Sequence, residues 1–220
     1  MPFIGLIAGF VQKRQPTEQH IITSMKNTLN PRFLTLLCFI LALAMIRILN
    51  VAQESPVSNF TPIGAMGLFG GAYFTGRWKA FVFPILTLLI SDFLINTVIY
   101  KGQYGIIYDG WYWVYGIFAL IVFYGKVLLR KINVKNILLA GIAATLSHWL
   151  LSDLSVWLSG GTDLRTGLPL TRDLSGLVQC LAQGFPFMRN FLAGTLAYSA
   201  LLFGGFEFLK VRFPKIAFAE

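Results

Sequence analysis

Basic residues punctuate this chain at every second junction between apolar stretches. Lys13, Arg14, Lys26 and Arg32 precede the first stretch, and Arg77 and Lys79 stand between the second and the third. Lys126, Arg130, Lys131 and Lys135 separate the fourth from the fifth, and Lys210, Arg212 and Lys215 follow the last. Together these are thirteen of the 18 Lys and Arg residues. Short loops rich in Lys and Arg stay on the cytoplasmic side of a bilayer. The pattern therefore predicts an all-α, polytopic membrane protein with both termini cytoplasmic. The other loops hold only Lys101, Arg165 and Arg172, balanced by Glu54, Asp109, Asp163 and Asp173, as suits the outer side.

Composition points the same way. Hydrophobic residues make up 56% of the 220, charged residues 12%, and the mean hydropathy is +0.68. A water-soluble domain carries about 25% charged residues, so the bilayer is the expected solvent and membrane lipids the expected surroundings. The net charge of +9 flanks apolar spans and forms no basic helix or stripe, so it reads as an orientation signal and not as a nucleic-acid surface.

Spans of about 20 mostly apolar residues lie at Phe33 to Asn50, Lys79 to Tyr100, Trp111 to Leu129, Asn136 to Leu158 and Phe185 to Leu209. A sixth, Pro62 to Thr75, is short. Its Gly67 and Gly71 have the small-xxx-small spacing that lets helices approach closely. Pro62 and Pro186 suit first turns of helices. Residues 1–32 form an N-terminal extension, 33–209 a six-helix domain and 210–220 a cytoplasmic tail. Residues 1–24 suit an interfacial anchor or a dispensable upstream start, since Phe3 to Val11 is too short to span and Met25 opens a more usual beginning.

Five charged or titratable residues inside the spans lie away from the basic loops. At a rise of 1.5 Å per residue, Asp92 lies about 20 Å along the third span, His148 about 20 Å and Asp153 about 27 Å along the fifth, and Arg47 about 22 Å beyond Arg32. Arg189 lies about 6 Å in from the other side. All fall in the outer half of a core about 30 Å thick. Arginines near an interface can snorkel, but Asp92 is too deep and too short-armed to do so. It must pair with Arg47 or Arg189, contact a ligand, or relay protons. His148 suits a hydrogen bond between helices or a ligand contact. Ser147, His148, Ser152 and Asp153 have the residue types of a hydrolase triad, but on one helix Asp153 turns about 140° away from His148, so no triad forms. No metal, nucleotide or dinucleotide motif occurs; neither cofactor nor catalytic residue is expected.

Tyr100, Tyr104, Tyr108, Trp111, Tyr112, Trp113 and Trp157 gather at the outer interface, as a belt or as rings that stack on a ligand. Leu174, Leu177, Val178 and Leu181, behind Asp173 as N-cap, predict a short amphipathic helix over the outer mouth.

The run Asn59-Phe60-Thr61-Pro62-Ile63-Gly64-Ala65, with Leu68-Phe69-Gly70-Gly71-Ala72-Tyr73 and Ile90-Ser91-Asp92-Phe93-Leu94, resembles an uncharacterised family of bacterial six-helix membrane proteins. That family is related to the substrate-binding (S) components of energy-coupling factor vitamin transporters. Gly176-Leu177, Cys180 and Pro186-Phe187 are similar to its later motifs. The resemblance implies six helices in an S-component-like bundle of the bacterial inner membrane, and capture of a small molecule under the loop Val51 to Thr61. Ala42 and Ala44, two apart, depart from the Ala-xxx-Ala motif with which S components dock their membrane partner.

The expected function is binding and transport of a small water-soluble nutrient taken from the outer side. Arg47, Asp92, Asn96, His148, Asp153, Arg189 and Asn190 would supply polar contacts and Asn59 the lid. The alternative is a non-catalytic subunit whose glycine face packs against a partner membrane protein.

Overall fold

The computed structural model of the chain describes residues 30–52, 59–76, 78–103, 105 and 108–217. Its elements are α1 (Pro31–Ala52), α2 (Ile63–Tyr73), α3 (Lys79–Leu94), a π-turn (Ile95–Ile99), α4 (Trp111–Leu128), α5 (Val134–Ser159), α6 (Leu174–Arg212) and a 3-10 turn (Pro214–Ile216). Helices account for the fold among the described residues. Five of the six are long and apolar enough to cross a membrane, and α2 is not. The protein is a multi-pass membrane protein. Residues 1–29, and with them the expected N-terminal anchor, lie outside the described residues.

The short helix sits at the centre. Eleven residues rise about 16 Å, half of a hydrocarbon core, so α2 is unsuited to face lipid along its length. Nine of its eleven residues are buried, and it packs against all five long helices. Bare backbone makes this possible. A Cβ on Gly67 would lie 2.8 Å from the Ile121 side chain, and one on Gly71 would lie 2.9 Å from the Lys126 nitrogen and closer still to the Val122 carbonyl oxygen. Gly125 of α4 answers with its own Cα against the backbone of Leu68. Gly70 receives the ring of Pro84 on α3, and Gly64 the side chain of Thr195 on α6. The glycines therefore bring three neighbours against one helix, which extends the pairwise packing expected from the Gly67 and Gly71 spacing.

Aromatic rings fill the space toward the end that carries the basic loops. Phe69 stacks on Phe39 with ring centroids 5.9 Å apart and meets Phe203 and Phe206 edge-on at 5.4 and 5.7 Å. Beneath it, the Arg32 guanidinium donates to the Ala217 carbonyl at 2.9 Å and lies 5.6 Å from the Phe206 ring centroid. The Tyr73 hydroxyl donates to Glu207, which also receives the Lys210 ammonium at 2.9 Å. These contacts tie the start of α1, the end of α2 and the end of α6 together. Arg32 and Lys210 thus do structural work at this end of the fold.

Two expected boundaries move. Pro186 lies inside α6 and does not open it, and the amphipathic segment from Leu174 is the first part of the same 39-residue helix. At about 58 Å this helix is roughly twice the hydrocarbon thickness, so it extends past the core. Asp173 does cap it, accepting from the Gly176 N–H at 2.8 Å. That bond holds the Asp173 carboxyl below the usual carboxylate range. A carboxyl lowered on folding stabilises above its unfolded pKa and ceases to do so as pH falls through the folded one. Asp173→Ala should therefore speed hydrogen exchange at Gly176 at neutral pH and make no difference in strong acid. The third span, expected as one helix to Tyr100, changes at Ile95 to a π-turn in which the Tyr100 N–H reaches the Ile95 carbonyl at 3.0 Å.

Candidate functional site

Asp92 faces inward from the last turn of α3. Its side chain is 7% exposed and its Oδ1 pairs with the Arg47 guanidinium of α1, itself 14% exposed. Arg47 spends its second nitrogen on Ser91 Oγ at 2.6 Å, and that hydroxyl donates in turn to the Leu88 carbonyl at 2.8 Å. Asp92 Oδ2 accepts from the Tyr115 hydroxyl of α4 at 2.9 Å and from the Tyr108 hydroxyl at 3.4 Å. Tyr108 lies in the loop before α4, where burial, and after it the Asp92 charge, raises its phenol pKa and keeps it a donor. A charge costs about 2.5–3.5 kcal/mol at a bilayer centre on insertion scales. Here the carboxylate has a cation and two phenols to offset that cost.

Beside this network lies a cavity of about 480 Å³. Leu89, Ile90, Asp92, Phe93, Leu94, Asn96, Tyr108 and Tyr115 line it. Asp92 and Asn96 are four apart and share a helix face, and Asn96 is buried where the α-helix gives way to the π-turn. Single π-turns inserted in helices recur at functional sites because they re-aim side chains. The volume falls within the range of small-molecule sites, roughly 300–1,000 Å³.

Of the other expected residues, His148 and Asp153 lie on α5 and Arg189 and Asn190 on α6, while α3 packs against α1, α2 and α4. His148 stacks on the Phe191 ring at 4.1 Å, with planes 14° apart. Asp153 is half-buried on α5 with its Oδ2 turned to Gly184 of α6, and this oxygen has no hydrogen-bond partner among the described residues. The neighbouring Cys180 thiol contacts the Asp153 carbonyl at 3.3 Å. Arg189 is exposed on α6, and Asn190 is partly buried beside it. Asn59 is exposed and left-handed at φ 66°. Its neighbours dock on α6, with the Phe60 ring 5.6 Å from Tyr198 and Thr61 backbone against Gly194. Residues 53–58 of the expected lid lie outside the described residues. Asp92, Arg47 and Asn96 thus come together at the cavity, whereas His148 and Asp153 make contacts with α6.

The α5–α6 seam carries its own prediction. A Cβ on Gly184 would intrude on the Asp153 carboxyl group. Overpacking of this kind costs about 1–3 kcal/mol, so Gly184→Ala should lower the melting temperature and Asp153→Ala should relieve most of the loss in the double variant. Thermal unfolding of the four proteins in one detergent checks this.

Sequence reasoning paired Asp92 with Arg47 as one of two options but missed Tyr115 and Ser91. Tyr115 is four residues after Trp111, and their rings sit 5.8 Å apart on one face of α4. That spacing was the available signal: the aromatic face continues inward from the belt. Glu207 was missed too, although it is the one acid in the last span, one turn before Lys210.

Comparison with other proteins adds a family. No curated protein and no solved structure matches the chain. The model of a family of unknown function, DUF6580, matches residues 27–216. The match takes in all six helices and every residue of the Asp92 network, and the chain belongs to that family.

Proposed function

We propose that this protein binds a small molecule in the cavity beside Asp92, at the outer side of the bacterial inner membrane, and serves its transport. The observation that carries the reading is a cavity of ligand size walled by a paired carboxylate and two phenols. Intramembrane ionisable residues pair with one another and mark substrate and ion pathways. Five long helices around a short central one support an S-component-like, six-helix bundle. The basic loops at one end support cytoplasmic termini. The glycine face of α2, which suits a partner helix, is covered by the chain's own α3, α4 and α6. Of the two features that favour a partner subunit, the glycine face is therefore taken up within the chain, and the 20 phenylalanines remain.

Uptake tests the proposal. Cells expressing the protein should accumulate at least one member of a panel of radiolabelled vitamins and other small nutrients, graded from hydrophilic to lipophilic. Accumulation should fall at least tenfold in Asp92→Asn with the protein still present in the membrane. Equal uptake by wild type, variant and vector controls across the panel would contradict it.

A further inference from the structure

The cavity is open on its side. Leu89, Ile90 and Phe93 line it and are also 40%, 54% and 47% exposed on the outer surface of the bundle. They lie about 15–21 Å along α3 from Lys79, within a hydrocarbon core of about 30 Å. The opening therefore gives onto acyl chains. A strongly hydrated solute arriving this way would have to shed its water against aliphatic walls with few groups to replace it.

The polar end of the cavity is narrow in its demands. Asp92 Oδ1 is committed to Arg47, so the pair is neutral overall. An anion would meet the carboxylate, and a cation would find the charge already balanced. Asp92 Oδ2 holds Tyr115 at 2.9 Å but Tyr108 at 3.4 Å, beyond the roughly 2.5–3.0 Å usual for such a bond. A hydroxyl or amide N–H can take the Tyr108 place on that oxygen without unpairing Arg47. A ligand lacking any donor gains nothing at that oxygen.

We infer that the occupant is an uncharged amphiphile, with an apolar body and one hydrogen-bond-donating head, which enters sideways from the bilayer between α3 and the Tyr108–Tyr115 wall. The inference rests on the transport reading of the same cavity. It replaces the water-soluble nutrient expected from sequence with a membrane-partitioning one.

Photolabelling of the full-length protein in phosphatidylcholine nanodiscs tests it. Three probes are used in parallel: a diazirine-bearing octanol, a diazirine-bearing octanoate, and phosphatidylcholine with a diazirine in its acyl chain. The octanol should place adducts on Phe93, Tyr108 and Tyr115, reduced at least fivefold by excess unlabelled octanol and by Leu89→Trp or Ile90→Trp. Both substitutions fill the opening from a lipid-facing position, so folding is retained and is checked by size exclusion. Octanoate and the phospholipid should label lipid-facing positions such as Leu139 and Leu201 without saturating. Unsaturable octanol labelling, or labelling unmoved by either tryptophan, overturns the inference. So does saturable labelling of Phe93 and Tyr115 by the phospholipid, which makes the cavity a lipid seat. If octanol fails while the purified protein retains a hydrophilic molecule that Leu89→Trp expels, the transport reading stands and only the ligand class falls. If neither is held, both fall.

Discussion

Gly71→Leu should abolish the folded protein, and Gly116→Leu should leave it unchanged. Both glycines are helical and both lie in apolar surroundings. They differ in what a side chain would meet. At Gly71 the first carbon already intrudes on the Val122 carbonyl and comes within 2.9 Å of the Lys126 nitrogen, both of them backbone atoms of α4. At Gly116 nothing lies within 4 Å. Helix α4 cannot retreat from α2 locally, because Gly125 one turn along is held against Leu68 by the same close approach. Accommodating a leucine means separating the two helices, and α2 has no lipid-facing alternative. Overpacking a core costs about 1–3 kcal/mol where side chains can give way, and a backbone obstacle pushes the cost above that. Against total stabilities of about 5–15 kcal/mol, the loss removes most folded protein. Fluorescence-detected size exclusion should show a monodisperse peak for Gly116→Leu and an aggregate for Gly71→Leu, with Gly71→Ala between them.

The second large effect concerns the Arg47–Asp92 pair. Removing one member of a buried ion pair costs about 3–5 kcal/mol, because the survivor is left uncompensated. Arg47→Met and Asp92→Asn should each fall in that range. The double variant should cost less than the sum by about 2–4 kcal/mol, since no bare charge remains and the introduced amide still offers an oxygen to Tyr108 and Tyr115. Replacing Asp92 by leucine in the same background should cost about 1–3 kcal/mol more, as both phenols lose their acceptor. A double-mutant cycle from chemical unfolding in detergent reads this coupling. Coupling near zero would mean that the two side chains act independently.

Much of the architecture was legible because the bilayer imposes it. The stretch Phe33 to Asn50 became Pro31–Ala52, and Asn136 to Leu158 became Val134–Ser159. Charged residues mark where a span must stop, and an uninterrupted apolar run of that length has no other stable conformation in lipid. The end of the third span and the start of the last were not legible. Proline propensity places Pro186 at a helix start, but in a long helix the ring removes one hydrogen bond and neighbouring turns carry the helix past it. The π-turn at Ile95 depends on where the following loop brings Tyr100 and Gly102, and local sequence does not encode that.

The site was legible by half. Depth alone brought Arg47 and Asp92 to the same level, since each could be measured from its own basic loop. It also brought His148 and Asp153 there, but depth carries no information about angle around the bundle. That angle is set by α2, whose glycines seat α3 on one side and α6 on another. Tyr115 was hidden among aromatics that any membrane interface would carry.

The central claim is that the space beside Asp92 holds a molecule. Native mass spectrometry of the gently extracted wild-type protein and of Leu89→Trp measures this most directly. The account predicts a bound small molecule released from wild type on activation and missing from the tryptophan variant, with both proteins folded. A bare chain with no bound mass in either protein, or a ligand retained equally by the variant, would contradict it.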